Sequence, residues 1–342
     1  MVIASPQLRN GDPRRGPLFR ELVVHRQPDI AGIGLRPRYV HLPRLPRRLP
    51  LAYARRASDD GSGMASNEVS IDLDSFDEFE ASAWEERVEG YAGFFGAVTG
   101  RLVEPLVDLA RVGPGTHVLD VATGPGYVAA EAAHRGATVW GVDVAEAMVA
   151  RARAEHPGVE FRRADAQALP FEDGAFDAVV CNFGLPHFGR PELAVAEGVR
   201  VLAPGGRLAL TTWDAPAEMR MFGVFLEAVG EAGAGPPDGL PPGPDVFRFS
   251  DDEEFRRLFQ GQGLADVEVR RIAFTHPVRS FEDFWRALQR GTVRMASLVL
   301  GQSEETRERI RAALERRLAA YGTDGRFDVP VSVKLAAGSK SG

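Results

Sequence analysis

Apolar residues along the chain recur first at helical and then at strand spacing. Between residues 76 and 110 they fall three or four positions apart, and Trp84, Tyr91 and Phe95 lie on one face of the predicted helix. After a turn signal at 113–115, short continuous apolar runs begin. These runs predict five buried strands, at residues 117–121, 137–144, 159–164, 176–183 and 207–213.

Helical segments lie between the predicted strands and end at helix-stopping residues. They cover residues 127–135, 145–155 and 191–202, and a Gly or Pro follows each of them within two residues. Strands that alternate with helices in this way pair in parallel, and the helices cover both faces of the sheet. The pattern therefore predicts a doubly wound α/β fold.

After Trp213 the regular alternation stops. Ser250 and Glu253 match a capping box, which predicts the start of a helix that ends at Gly263. The other predicted elements are a helical stretch and a Pro/Gly loop within 215–248, a sixth strand containing Val267, Val269 and Ile272, helices at 281–290 and 303–320, and a seventh strand at 329–335. We therefore expect a seven-stranded, mostly parallel sheet with helical cap insertions.

The composition is that of a globular protein without a disulfide framework. The 342 residues are 44% apolar, which is ordinary for a protein with a sizeable core. The sequence has no apolar run of about 18 residues, the length that would predict a membrane-spanning helix. Cys181 is the single cysteine, which excludes an internal disulfide and a cysteine-based zinc site. A reducing cytoplasm is the expected compartment, and no metal site is predicted.

Charge is distributed unevenly along the chain. Residues 1–57 contain 12 arginines and three acidic residues, whereas the whole chain has a formal net charge of −7. The main body is therefore acidic, which argues against a nucleic-acid partner. Residues 1–63 are rich in Arg and Pro, lack periodicity and are predicted to be a disordered extension. The alternatives are a targeting or nucleic-acid-binding arm, or a natural chain that begins at Met64.

A glycine-containing bend follows the first predicted strand. Residues 120–126 read Asp-Val-Ala-Thr-Gly-Pro-Gly, and glycines at such a bend allow a ligand to approach the backbone closely. Gly124 and Gly126 also begin a G-x-G-x-x-A pattern that is typical of dinucleotide sites. Asp143 lies 19 residues beyond Gly124, where an acid can bind ribose hydroxyls. These features predict an adenosine-containing ligand, and they do not distinguish NAD from S-adenosylmethionine.

Three further features favour S-adenosylmethionine. Asp120 precedes the bend, where its charge would repel a pyrophosphate and attract the ammonium group of a methionine moiety. Asp165 follows the third predicted strand, where its carboxylate could accept a hydrogen bond from an adenine amino group. The two additional strands near the end of the chain suit a seven-stranded methyltransferase sheet better than a six-stranded dinucleotide fold.

In order and spacing, these motifs resemble those of a class I S-adenosylmethionine-dependent methyltransferase, of the broad group that includes the ubiquinone and menaquinone methyltransferases. The segments that carry the resemblance are 118–126, 141–144 with Met148, 164–166, 169–177 and 200–207. The resemblance implies that Asp143 holds the ribose of the cofactor and that Met148 lies against its adenine. It divides the chain into N-terminal helices at 64–116, a cofactor-binding core at 117–214, and acceptor cap helices with the last two strands at 215–342.

The predicted site combines cofactor-binding residues with one candidate catalytic residue. The cofactor-binding set is Asp120, Ala122, Gly124, Gly126, Asp143, Val144, Met148, Asp165, Ala166 and Asn182. His187 follows the fourth predicted strand and is the candidate general base, the alternative being a residue of the cofactor-pocket wall or one engaged in local hydrogen bonding. The stripe of Trp84, Tyr91 and Phe95 fits either the core or an acceptor pocket, and Cys181 fits a buried strand better than a nucleophile.

The predicted activity is methyl transfer to a small-molecule acceptor by in-line displacement, in which positioning of the reactants is the main demand on the protein. Two alternatives stay open: an NAD-dependent oxidoreductase and a non-catalytic cofactor-binding partner subunit. A Tyr-x-x-x-Lys oxidoreductase is excluded because the two lysines, Lys334 and Lys340, lie in the last nine residues. The sequence does not identify the acceptor, the acceptor atom or the oligomeric state.

Overall fold

The structure, a computed structural model, describes residues 72–323 and 325–342. The predicted extension at 1–63 lies outside these residues. The strands are β1 (His117–Val121), β2 (Thr138–Asp143), β3 (Glu160–Arg163), β4 (Phe176–Asn182), β5 (Leu202–Trp213), β6 (Leu264–Val278), β7 (Gly322–Thr323) and β8 (Arg326–Lys340). They form one sheet in the order β3-β2-β1-β4-β5-β8-β6, and the two-residue β7 pairs with β8.

The sheet is mostly parallel, as predicted. The neighbours among β1 to β5 pair in parallel, whereas β8 runs antiparallel to both β5 and β6. The seven-strand path therefore confirms the predicted α/β fold, to which the structure adds β7. The order of the strands reverses between β1 and β4, so a crevice opens at the carboxyl ends of these two strands.

Helices cover the sheet on both sides. In the described part of the chain the α-helices are α1 (Leu73–Glu85), α2 (Val88–Gly90), α3 (Gly96–Thr99), α4 (Val103–Leu109), α5 (Tyr127–His134), α6 (Glu146–Glu155), α7 (Pro191–Val201), α8 (Arg220–Glu231), α9 (Asp252–Gln260), α10 (Phe281–Arg290), α11 (Arg294–Leu300) and α12 (Glu304–Leu318). Along β1, Val118 packs into one hydrophobic cluster and Leu119 into the other. This alternation places a core on each face of the sheet, as a doubly wound fold requires. None of the helices described here is both long and apolar enough to cross a membrane.

The helical pattern over 76–110 is confirmed, and the structure shows several short helices there instead of one unbroken helix. The structure breaks this stretch into α1 to α4, joined by a π-helical turn, Tyr91–Phe95, and a 3₁₀ turn, Gly100–Leu102. Backbone packing is close at the end of α2, where a Cβ atom at Gly90 would lie 2.1 Å from the carbonyl oxygen of Arg290. The spacing of apolar residues does not predict this contact, because the two residues lie 200 positions apart in the sequence.

The predicted capping box at Ser250 and Glu253 is also wrong. Helix α9 is capped by Asp251, whose carboxylate accepts hydrogen bonds from the backbone N–H groups of Glu253 and Glu254, at 3.0 and 2.8 Å. Ser250 instead ends a 3₁₀ turn. The helix ends at Gln260, three residues before the predicted stop at Gly263. Asp and Ser are both good capping residues, so the sequence pattern alone had no means to choose between the two neighbours.

The last three long strands begin earlier or extend further than predicted. In β5, Leu202 pairs with Phe176 and Arg207 pairs with Ala178, so residues 204–206, which precede the predicted start of the strand at 207, form a bulge within it. Strands β6 and β8 have 15 residues each and pair from Leu264↔Lys340 to Val278↔Phe327. Much of β6 is only partly buried, which explains why its apolar pattern marked only the middle of the strand.

The corrected helix cap gives a stability test. Asp251→Ala should lower the free energy of unfolding by about 1 kcal/mol, because two N–H groups of α9 lose their acceptor. Ser250→Ala is the matched control and should change the free energy by less than about 0.5 kcal/mol. Urea denaturation followed by circular dichroism measures both. A loss confined to the Ser250 variant would restore the capping box.

Candidate functional site

The bend between β1 and α5 brings backbone to the edge of the sheet. Ala122, Gly124 and Gly126 all have positive φ angles, of 53°, 54° and 88°. A Cβ atom at Gly126 would lie 2.9 Å from side-chain atoms of His156 and Phe161, whereas a Cβ atom at Gly124 would meet nothing within 4 Å. Gly126 therefore allows close packing of the protein against itself, and Gly124 leaves open space in front of the bend.

Asp143 at the end of β2 holds this bend in place. Its Oδ2 accepts a hydrogen bond from the Gly124 N–H at 2.9 Å, and its Oδ1 accepts one from the Ala145 N–H at 3.0 Å. Burial raises the pKa of the Asp143 carboxyl, while the two backbone hydrogen bonds and the nearby His187 oppose the rise. Each oxygen retains a lone-pair site that a ligand can use.

Asp120 lies beneath the bend and is fully buried. Its Oδ2 accepts hydrogen bonds from the Thr123 hydroxyl at 2.6 Å and from the Ala129 N–H at 3.1 Å. Its Oδ1 has no hydrogen-bond partner among the described residues. Burial raises the pKa of this carboxyl to about 7, and the charge of Asp143 adds to the effect. Asp120 thus shapes the bend from below and keeps one oxygen uncommitted.

A cavity of about 1300 Å³, counted with its mouth, opens at the carboxyl ends of β1, β2 and β4. Small-molecule sites favour this position in open α/β sheets. Nine of the predicted site residues line the cavity, namely Ala122, Gly124, Asp143, Val144, Met148, Asp165, Ala166, Asn182 and His187. Asp120 and Gly126 do not reach its wall. The sequence pattern around Asp120 and Gly126 does not distinguish a residue of the cavity wall from one that supports the bend.

The polar residues at this wall differ in their surroundings. Asp165 is exposed, and its Oδ1 accepts a hydrogen bond from the Gln167 N–H at 2.8 Å. Asn182 at the end of β4 donates to the Thr99 carbonyl oxygen at 3.2 Å and accepts from the Thr211 hydroxyl at 2.7 Å. Asp165 is therefore a rim residue with free acceptor capacity, whereas Asn182 ties β4 and β5 to the N-terminal helices.

The rest of the cavity is mainly aromatic. Its apolar wall includes Trp84, Tyr91, Phe95, Phe183, Trp213, Phe222 and Met295. The stripe of Trp84, Tyr91 and Phe95 thus faces the cavity, although Phe95 is also part of the core. Burial raises the pKa of Tyr91 to about 12, and its hydroxyl lies 2.8 Å from the Thr99 hydroxyl.

Sequence reasoning missed Phe183 and Trp213, whose rings lie 4.0 Å apart between centroids. Both residues stand at strand ends, where the crevice of a doubly wound sheet lies. Phe183 also has a φ angle of 62°, an unusual value for a bulky residue and one that is often found at functional sites. The strand-end position was a usable signal, whereas the backbone angle could not be seen in the sequence.

Glu80 was missed as well. The residue is 2% exposed, and its Oε2 lies 2.9 Å from Nδ1 of His187. The sequence did contain a signal, because Phe76, Glu80 and Trp84 are spaced by four and lie on one helix face. An acidic residue in an apolar stripe indicates a buried polar partner.

The comparisons with known proteins agree with this geometry. Residues 119–210 match the family model of the methyltransferase domain. A demethylmenaquinone methyltransferase from Thermus thermophilus is 48% identical over 116 residues, which cover 32% of this chain and 53% of the relative. One from Clavibacter sepedonicus is 39% identical over 171 residues, which cover 46% and 69%. The chain spans about half the length of the first relatives that it matches.

A solved structure shares the fold. The putative methyltransferase from an antibiotic biosynthesis pathway of Anabaena variabilis superposes with a TM-score of 0.50 at 20% identity, over 69% of this chain and 96% of the other. At this identity the likeness concerns the fold alone, and the relationship rests on the sequence matches over the glycine bend and the strands around it. The chain belongs to the class I S-adenosylmethionine-dependent methyltransferases.

Proposed function

We propose that the protein transfers the methyl group of S-adenosylmethionine to a small-molecule acceptor. The observation that carries the proposal is the position of Asp143, a buried carboxylate that faces the cavity beside the open backbone of Gly124. The cofactor needs a hydrogen-bond acceptor for its ribose hydroxyls. It also needs an open space for the methionine chain that is attached to the ribose. The demethylmenaquinone methyltransferases named above support methyl transfer as the reaction.

The wall residues fit the parts of the cofactor. We assign the ribose hydroxyls to Asp143, the adenine ring to Met148 and Ala166, and the adenine amino group to the free lone pairs of Asp165. The open space at Gly124 fits the methionine chain. Ala122, Val144 and Asn182 complete this half of the cavity. The donors and acceptors thus suit an uncharged nucleoside with a cationic side chain.

Asp120 is assigned to the positive charge of that side chain. Its Oδ1 is buried without a hydrogen-bond partner in the described part of the chain, and an unpaired buried carboxylate is costly. A cation above the bend attracts the Asp120 carboxylate electrostatically and so reduces the free-energy cost of its burial. This attraction needs no direct contact, since Asp120 does not reach the cavity wall. A diphosphate in the same place would increase the cost, which argues against NAD.

When bound, S-adenosylmethionine supplies an electrophilic methyl group. The chain's contribution is to align an acceptor with it, and positioning of this kind can contribute about 7–11 kcal/mol. The aromatic walls around Trp213 and Phe222 exclude water from the reacting groups. His187 lines the same cavity and is the candidate for receiving a proton from the acceptor. The cytoplasmic location predicted from the single cysteine stays a prediction.

The ribose assignment can be tested by calorimetry. Asp143→Ala should weaken the binding of S-adenosylhomocysteine at least tenfold, or by about 1.4 kcal/mol, because the ribose loses its buried acceptor. NAD should not bind the unmodified protein. Asp328→Ala removes an exposed acid from β8 and is the matched control, with an expected affinity equal to that of the unmodified protein.

Asp143→Asn tests ribose recognition in a variant that still supports the bend in part. Its amide oxygen can accept one of the two backbone hydrogen bonds that the carboxylate accepts. Circular dichroism and thermal unfolding should show folded protein in both Asp143 variants. Undiminished affinity in both variants would remove the ribose assignment, and binding of NAD in place of S-adenosylhomocysteine would remove the proposed function.

The role of Asp120 predicts proton release on binding. With a pKa of about 7, the carboxyl is partly protonated at neutral pH in the free protein. The ammonium group of S-adenosylhomocysteine favours the ionised form, so binding lowers this pKa and releases up to about half a proton at pH 7. Calorimetry in two buffers of different ionisation enthalpy measures the release. In Asp120→Asn the release should vanish, and an unchanged release would assign it to another group.

A further inference from the structure

Glu80 and His187 form a pair inside the cavity. Glu80 lies on α1 and His187 on the short 3₁₀ turn Leu185–His187 that follows β4, so the pair joins the N-terminal helices to the sheet. The carboxylate is almost completely buried, whereas a quarter of the imidazole side chain is exposed. Both residues line the cavity. The pair therefore places a titratable nitrogen at the cavity and a carboxylate behind it.

The contact directs the imidazole. Because Oε2 of Glu80 lies 2.9 Å from Nδ1, a neutral His187 donates its Nδ1–H to the carboxylate and leaves a lone pair on Nε2. No group in 72–323 or 325–342 forms a hydrogen bond with Nε2. Trp84 lies edge-on against the ring, with centroids 5.0 Å apart and planes at 89°. The tautomer and the ring plane are thus both constrained.

The buried carboxylate also stabilises a positive charge on the imidazole. Oε1 of Glu80 has no hydrogen-bond partner among the described residues, so its charge is poorly compensated. Asp143 adds a second negative charge. His187 lies near enough to Asp143 for a positive imidazole to favour the ionised form of that carboxyl. A proton that reaches Nε2 therefore arrives beside two carboxylates. This arrangement suits a base that accepts a proton during a reaction.

The aromatic wall indicates the shape of the acceptor. Phe183, Trp213 and Phe222 pack against one another and line the cavity, which gives it an apolar face against which a planar ring can stack. An aromatic hydroxyl in such surroundings stays protonated, since its ordinary pKa is near 10 and an apolar site disfavours the anion. Attack by the hydroxyl oxygen therefore needs a base, whereas an amine attacks through its neutral lone pair and loses its proton afterwards.

We propose, on the basis of the proposed methyl transfer, that His187 removes the hydroxyl proton of an aromatic alcohol and that Glu80 is its positioning residue. The pair of electrons of the O–H bond stays on the oxygen, which forms a bond with the methyl carbon. The sulfur–methyl bond breaks, and its electron pair stays on sulfur. Nε2 carries the proton until the solvent takes it up. No oxidant or additional reactant is needed.

The test uses 4-nitrophenol, whose visible absorbance reports its ionisation, and the full-length protein saturated with S-adenosylhomocysteine. At pH 7, where an imidazole of ordinary pKa is largely neutral and the free compound is still partly protonated, binding should increase the ionised fraction. His187→Ala should lower the bound ionised fraction about fivefold or more. Glu80→Gln keeps an acceptor for Nδ1 but lacks the charge, and should lower this fraction about threefold. Both variants should retain their affinity for S-adenosylhomocysteine within about twofold.

Glu85→Gln is the matched control for a merely structural role of the carboxylate on α1. Glu85 fastens the same helix by accepting hydrogen bonds from the N–H groups of Glu146 and Ala147, both at 2.8 Å, and does not contact His187. Its variant should ionise 4-nitrophenol like the unmodified protein. An equal loss of bound ionised 4-nitrophenol in Glu85→Gln and Glu80→Gln would show that Glu80 only holds α1 in place, and this would overturn the proposal.

The remaining outcomes are equally decisive. Failure of 4-nitrophenol to bind, or equal ionisation in His187→Ala, would reject the assigned base and acceptor class while leaving cofactor binding intact. Failure of the unmodified protein to bind S-adenosylhomocysteine would instead reject the proposed function itself. Retained ionisation in Glu80→Gln, together with its loss in His187→Ala, would leave a base that needs no positioning carboxylate and would refute the role of Glu80.

Discussion

The site depends on the buried carboxylate of Asp143. It connects the end of β2 to the bend after β1 through the Gly124 N–H, and to the start of α6 through the Ala145 N–H. The bend contains three residues with positive φ angles, and this backbone needs an acceptor to hold it open. The same carboxylate faces the cavity. One side chain thus fixes the shape of the site and remains available to a ligand.

The sheet and the cofactor half of the cavity could be predicted because their signals are local. A buried strand, a glycine bend and an acid at the next strand end lie within about 30 residues, and the parallel sheet brings strand ends together wherever the pattern holds. This reasoning identified Asp143 as a candidate, whereas Met148 was added by the family resemblance. The same reasoning could not show that Asp120 lies beneath the bend and not at the cavity wall. The depth of a side chain below a bend depends on backbone angles that the sequence does not display.

The aromatic half of the cavity was harder to predict because it is assembled from distant segments. Trp84, Trp213 and Met295 come from α1, the end of β5 and α11, and α11 itself was not predicted. A close backbone contact between Gly90 and Arg290 joins the N-terminal helices to the end of α10. Packing between such distant segments shapes the region where the acceptor would lie, and the spacing of apolar residues does not predict it.

In the proposed function, negative charge around the cavity favours a cationic ligand. Asp120, Asp143 and Glu80 are all buried, and burial raises the pKa of the two aspartates because each ionised form lacks solvation. A cationic ligand offsets this cost and a diphosphate increases it. In the proposed reaction the sulfonium charge disappears when the methyl group leaves, and the proton taken by His187 replaces it within the same cavity. The ammonium group stays on the product, so the carboxylates keep a positive neighbour after the proton has reached solvent. Loss of the sulfonium charge removes one attraction between the carboxylates and the cofactor, which weakens their hold on the product relative to S-adenosylmethionine.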